Sequence, residues 1–190
     1  MADSGTTDRR SDQELVDACN NGDAAAANRA FGVLYDRHKE FVIRVALRIV
    51  RNNDMALDVL QETFSYLLRK FPPAGEGLSL TAQMTSLLYP VARNSAISLM
   101  RKSERFQRTT DQEPDDLPAI ERAESTDVAA LLGDLSTERR EVIILRFVDD
   151  MSLQDIASVL DIPIGTVKSR LHLAIKQLRN VPNLKKMLWP

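Results

Sequence analysis

Residues 135–179 read LSTERREVIILRFVDDMSLQDIASVLDIPIGTVKSRLHLAIKQLR, and this stretch decides the fold class. Three short amphipathic helices can be parsed from it, the last two flanking a tight turn at Asp161-Ile162-Pro163-Ile164-Gly165. Ser152 and Asp155 have the S-x-x-D form of a capping box and open the middle helix. Pro163 and Gly165 are expected to end that helix, and Thr166 to cap the next. At about 100° per residue, Val167, Leu171, Ala174, Ile175 and Leu178 share one face and should pack inward. The opposite face carries Thr166, Ser169, His172, Leu173 and Lys176, with Lys168 and Arg170 on its flanks. A short helix, a tight turn and a basic second helix form the pattern of a DNA-binding helix-turn-helix.

Charge supports that reading. From Gly165 to Pro190 there are six Lys or Arg and no acid. Phosphate binding needs this bias, and base reading needs short polar side chains near the helix N-terminus. A solvated helix with an ordinary basic face would show the same bias, so both readings stay open on this stretch alone. Upstream the sign reverses: Asp111 to Asp134 holds eight acids against one base, Arg122. The net charge of −2 therefore hides a basic nucleic-acid face and an acidic segment kept off the DNA.

Seven Gly, eight Pro and long helical periodicities with few β-branched runs point to an all-α protein. Ser11 and Glu14 form a second capping-box pattern, opening a helix to about Asn20. Phe31, Leu34, Tyr35, His38, Phe41, Val42, Val45 and Ile49 recur at helical spacing, and His38 on that stripe reads as a core or boundary residue. A third helix is expected from Asp54 to Phe71, stopped by Pro72-Pro73, with Leu57, Leu60, Phe64, Leu67, Leu68 and Phe71 buried. A fourth is expected from Thr81 to Arg105, with Met84, Leu87, Leu88, Val91 and Ser95 inward and a kink or frayed start at Pro90. Its second half is basic, with Arg93, Arg101, Lys102 and Arg105.

The expected organisation is two small helical domains joined by a flexible acidic linker. Residues 1–10 read as disordered, 11–105 as the first domain, 106–127 as the linker and 128–190 as the second domain. The 22-residue linker could span up to about 70 Å if extended. Met1 to Arg10 has no signal-peptide character and no apolar run approaches a membrane span, so a cytoplasmic protein without membrane insertion is expected. A single Cys19 excludes an internal disulfide framework. One Cys, two distant His and no Gly-rich phosphate loop give no catalytic constellation, metal site or cofactor site.

A family resemblance sits on two of these segments. Asp58-Val59-Leu60-Gln61-Glu62-Thr63-Phe64 resembles the D-V-x-Q-E-x-F signature of bacterial RNA polymerase sigma factors, and Val91-Ala92-Arg93-Asn94 resembles the I-A-R-N of their region 2. Ser136 to Arg179 is similar to their region 4. With two domains and a short linker, the chain resembles the extracytoplasmic-function (ECF) group.

The resemblance implies that Asp58, Gln61 and Glu62 bind the clamp of core RNA polymerase, and the acidic spacing of Asp54, Asp58 and Glu62 suits a basic partner helix. It implies that residues 72–80 capture an unstacked base of the minus-10 promoter element. The helix carrying Arg93, Asn94, Arg101, Lys102 and Arg105 would hold melted DNA. Thr166, Lys168, Ser169, Arg170, His172 and Lys176 would read the minus-35 element, and the second domain would meet the polymerase flap. Many family members are held by an anti-sigma factor, which makes such a protein a candidate partner. The chain departs from the family pattern at Met84, Leu87, Pro90 and Ser98. Tyr89 offers a substitute stacking ring or an ordinary packing residue. The competing functional reading is a helix-turn-helix regulator that never joins polymerase; the D-V-L-Q-E helix and the basic fourth helix favour the sigma factor.

Overall fold

The computed structural model describes residues 8–109, 132 and 135–178. The chain divides into two compact units, with the division between Glu113 and Pro114. Among the described residues every regular element is a helix.

In the first unit, α1 spans Asp12–Asn21, α2 Ala24–Val50, α3 Asn53–Leu68 and α4 Met84–Thr109. The α1 start is the expected capping box: the Glu14 N–H donates to the Ser11 hydroxyl and the Ser11 N–H donates to the Glu14 carboxylate at 2.6 Å. That backbone bond holds the Glu14 carboxyl below its ordinary value. Asp23 and Asn52 cap α2 and α3 through side-chain oxygens, each accepting from a first-turn N–H. The long α2 is the spine, packed against α1, α3 and α4, and α3 also packs against α4.

The core is built from Leu34, Phe41, Val42 and Val45 of α2, Val59, Leu60, Phe64 and Leu67 of α3, and Met84, Leu88, Ala92 and Ala96 of α4. Phe31 meets Phe64 and Phe71 edge to face, each at 6.2 Å between centroids, and Tyr35 meets Phe64 at 4.8 Å. Two expectations are corrected here. Leu57 and Leu68 are exposed at 49 % and 51 %, because Ala56, Val59 and Thr63 take the inner face of α3. On α4 the small residues Ala92 and Ala96 continue the Met84–Leu88 stripe, and Leu87 and Val91 lie at its half-buried edge. The helix starts three residues later and runs to Thr109, four residues into the segment read as linker. It passes through Pro90, which cannot donate to the Ser86 carbonyl.

Of the stretch 1–10, residues 8–10 are described. Asp8 to Arg10 is placed by Arg37, whose guanidinium donates to the Asp8 and Arg10 carbonyls and pairs with Asp12 at 2.6 Å. Residues 1–7, and residues 110–127 of the expected linker, lie outside the described residues.

His38 shares Asp12: its Nε2 lies 2.8 Å from the second carboxylate oxygen, and the residue is 8 % exposed. Burial pushes the imidazole below its ordinary 6.5; the Asp12 carboxylate opposes that shift and nearby Arg37 adds to it. Between its folded pKa and 6.5, His38 therefore holds more proton in the unfolded chain than in the native one. Stability is complete above that value and declines as pH falls through the folded pKa, with a slope of at most about 1.4 kcal/mol per pH unit. Urea unfolding between pH 7.5 and 5.5 should show this decline, and His38→Gln should flatten it. An equally steep decline in the variant would assign the titration to other groups.

In the second unit, α5 spans Thr137–Phe147, α6 Leu153–Leu160 and α7 Ile164–Leu178. Each packs against the other two. Leu132, Leu135, Ile143, Ala174 and Leu178 form the core, with Ile144, Phe147, Leu171 and Ile175 against it. Arg140 donates to the Leu132 and Leu135 carbonyls and ties the entering chain to α5.

Candidate nucleic-acid and polymerase interfaces

The α6–turn–α7 unit is built from local backbone chemistry. Ser152 caps α6, its hydroxyl accepting from the Asp155 N–H at 3.1 Å. The helix ends where Asp161 enters the left-handed region at φ 52, and the Ile162 N–H reaches back to the Ala157 carbonyl at 3.0 Å. The helix stop is thus Asp161, ahead of the expected Pro163 and Gly165. The second expectation to change is the cap of α7. The helix opens at Ile164, and the Pro163 carbonyl accepts from the N–H groups of Thr166 and Val167. Thr166 therefore lies inside the first turn. Gly165 is tolerated there, and a Cβ at that position would meet open space.

On α7 the inward face is the one expected: Val167, Ala174 and Leu178 are buried, and Leu171 and Ile175 pack at the core edge. Lys168, Ser169, His172, Leu173 and Lys176 are exposed along the other side, at spacings of three and four. Thr166 and Arg170 are half-buried. Arg170 lies within electrostatic reach of Glu138 on α5 and helps lower that carboxyl, behind hydrogen bonds at the α5 N-terminus. The Arg139 guanidinium donates to the Gln177 amide oxygen at 3.1 Å, a second polar tie between α5 and α7. The remaining C-terminal cations, Arg179, Lys185 and Lys186, lie outside the described residues.

The first unit brings together the cations expected on α4. Arg93, Asn94, Arg101, Lys102 and Arg105 line one open groove with Ile97 and Ser98. Spacing of three and four along one helix face produces the alignment. Arg101, Lys102 and Arg105 are exposed. A basic helix face with an apolar residue among its cations can hold a polyanion by its backbone and leave the bases free to pack. Tyr89 is 4 % exposed and packs in the core, which excludes the stacking role.

The α3 surface carries Asp54, Asp58, Gln61 and Glu62, all exposed, and between and beside them the two exposed leucines, Leu57 and Leu68. Arg69 reaches Glu62 at 3.4 Å with both side chains 59 % exposed, a pair too solvated to hold Glu62 fast. Size and spacing alone predict both leucines inward on α3, so their exposure is not legible in the sequence. Their exposure beside three carboxylates gives the face apolar contact area and a charge preference for a basic partner.

Between α3 and α4 the chain is irregular. The Gly75 N–H donates to the Phe71 carbonyl and the Gly77 N–H to the Lys70 carbonyl, both at 2.9 Å, folding the segment back on the end of α3. Lys70 in turn lies 4.7 Å over the Tyr66 ring. Cys19, the single cysteine, is buried in the α1 core, and burial pushes its thiol up.

Comparison with known proteins agrees with this architecture. Residues 34–106 match the model of Sigma-70 region 2 and residues 125–178 that of Sigma-70 region 4. The chain is 38 % identical over 170 residues to the ECF RNA polymerase sigma factor SigL of Mycobacterium tuberculosis, covering 84 % of this chain and 92 % of that one. It is 30 % identical over 144 residues to the RNA polymerase sigma factor SigV of Bacillus subtilis, covering 75 % and 84 %. Its fold is similar to that of CnrH, solved in complex with the cytosolic domain of CnrY, with a TM-score of 0.60 at 24 % identity over 88 % of this chain and 94 % of that one. A similar fold occurs in the sigma factor RpoE of Bartonella quintana, solved in complex with the anti-sigma factor NepR, with a TM-score of 0.53 at 25 % identity over 74 % and 89 %. Both sigma regions, in the order and spacing that the helices display, make this chain a member of the ECF group of RNA polymerase sigma factors, which act in transcription initiation.

Proposed function

We propose that the two units divide promoter recognition between them. The unit containing residues 11–105 docks on core polymerase through Asp58, Gln61 and Glu62 and holds the melted minus-10 strand through Arg93, Asn94, Arg101, Lys102 and Arg105. The unit containing residues 128–190 reads the minus-35 duplex through Thr166, Lys168, Ser169, Arg170, His172 and Lys176, and meets the polymerase flap. The observation that carries this division is a pairing on one helical bundle: an exposed acidic and apolar face on α3, and a basic groove on α4. A regulator that only binds duplex DNA has use for neither.

The work is done by binding energy, with no covalent step and no cofactor. Duplex contacts fix register, and the groove favours the single strand over the duplex, which shifts the melting equilibrium. We place the activity in the cytoplasm; among the described residues no helix is long and apolar enough to cross a membrane. An anti-sigma factor is a fitting partner, since RpoE of Bartonella quintana, similar in fold, was solved with one.

The exposed strip on α7 sets a test. Lys168→Ala should weaken binding to all promoters alike and lower the slope of log affinity against log salt by about one. Arg170→Ala should do so with some loss of thermal stability, because Arg170 is half-buried near Glu138. Ser169 and His172 substitutions should alter which minus-35 sequence is preferred and leave the slope unchanged. Filter binding across a salt series with a randomised minus-35 element separates these outcomes. A Lys168→Ala variant with shifted sequence preference and an unchanged slope would mean that α7 docks differently.

A further inference from the structure

Asn20 and Asn21 are adjacent at the end of α1 and do opposite things. The Asn21 amide donates to the Asp17 carbonyl at 3.1 Å, one turn back on its own helix. The Asn20 side chain leaves α1 and reaches residue 78, 58 positions along the chain. Its Nδ2 donates to the Leu78 carbonyl at 2.8 Å, and its Oδ1 accepts from the Leu78 N–H at 2.9 Å. A primary amide offers a donor and an acceptor side by side, so Asn20 satisfies both backbone groups of Leu78 as a neighbouring strand would.

The fit continues at Gly77. Its φ of 104° lies in the region that only glycine adopts without strain, and a Cβ there would stand 3.0 Å from Asn20 Oδ1. The segment between α3 and α4 is therefore held at two places. Gly75 and Gly77 tie it to the end of α3, and Asn20 fixes Leu78 to α1. Beyond that anchor the chain runs through Ser79, Leu80, Thr81, Ala82 and Gln83 before α4 begins, and all but Leu80 are exposed. An exposed irregular stretch can present a shaped surface to a base only if its ends are fixed.

We infer that Asn20 is a positioning residue for base selection: its two hydrogen bonds to Leu78 set the conformation in which residues 72–80 meet an unpaired base of the promoter. The inference rests on the reading of this segment as the base-receiving loop. It assigns to α1, a helix outside both the α3 docking face and the α4 groove, control over sequence preference at the minus-10 element.

Holoenzyme assembled from the full chain and core polymerase tests it on forked promoter DNA, with each of the four bases placed in turn at the unpaired minus-10 positions. Asn20→Ala should lower the preference for the favoured base about tenfold, the scale of two lost hydrogen bonds. Affinity for core polymerase and for a minus-35 duplex should stay at wild-type values. Asn20→Asp keeps the acceptor for the Leu78 N–H but sets a carboxylate oxygen against the Leu78 carbonyl, so its preference should fall at least as far as that of Asn20→Ala. Gly77→Ala disturbs the same anchor from the loop side, through its crowding of Asn20 Oδ1 and its own backbone strain, and should also lower the preference. Wild-type base preference in Asn20→Ala would overturn the inference, as would an equal loss of affinity for every base and for core, which marks a merely structural residue. Substitutions at Ser79 and Leu80 separate the two levels. If these shift base preference and Asn20→Ala does not, only the role of Asn20 fails; if neither shifts it, the loop reading fails as well.

Discussion

Asp58→Arg combined with Glu62→Arg is expected to weaken binding to core polymerase about a hundredfold or more, with no change in helix content. Both side chains are exposed on α3 and neither touches the core, so the fold should tolerate the reversal. The effect comes from replacing attraction by repulsion: like charges set against each other at an interface cost several kcal/mol, and each 1.4 kcal/mol is about tenfold in affinity. Leu57 and Leu68 supply apolar area on the same face, so Leu57→Ser should weaken binding by a smaller factor and reduce its salt dependence little. Fluorescence titration of labelled protein with core polymerase at two salt concentrations reads both. Wild-type affinity in the double reversal would remove α3 from the polymerase interface.

The second large effect is expected on DNA opening. Arg101→Ala with Lys102→Ala removes two exposed cations from the α4 groove and no core contact. Open-complex formation should fall on the order of tenfold or more, while binding of the second unit to duplex minus-35 DNA is unchanged. Permanganate footprinting on a cognate promoter would show this as lost thymine reactivity near the start site. A premelted bubble template should restore transcription, because the energy the groove contributes to strand separation is then no longer required. A variant that opens duplex promoters as well as the native protein would reduce the groove to a solvated basic face.

The all-α class and the inward face of α7 were legible in the sequence because both are local: helical period, caps and turn residues lie within a few positions of one another. The same is true of the α4 cations, which a helix places on one face wherever it packs. What the sequence concealed depends on packing between distant elements. Leu57 and Leu68 were assigned inward for their size, but α3 packs against both α2 and α4, and the close approach favours Ala56, Val59 and Thr63. The inward role of Ala92 and Ala96 on α4 was missed for the same reason. At the turn, Asp161 entering the left-handed region and the Pro163 carbonyl opening α7 are backbone events, and a reading of side-chain preferences put the stop and the cap elsewhere. The Arg37 clasp on Asp8, Arg10 and Asp12, and the Asn20 anchor on Leu78, join residues 25 to 58 positions apart. No local pattern signals them.

Tyr89 shows the limit from the other side. Its position near the Met84 and Leu87 departures made a stacking role conceivable, and burial in the core removes it. In the reading proposed above, base contacts in the first unit then fall to the segment 72–80 and to the basic face of α4, where Ile97 lies among the cations. Recognition of the melted strand is therefore proposed to rest on loop conformation and backbone charge, without a ring supplied by Tyr89.

Run-off transcription from a library of double-stranded promoters, with purified core polymerase and this protein as the sole added factor, tests the central claim most directly. Transcripts should appear only when the protein is present, from a subset of templates sharing one minus-10 and one minus-35 sequence at fixed spacing. Binding of the protein to DNA without core polymerase, coupled with no template-specific transcript when core is supplied, would contradict it.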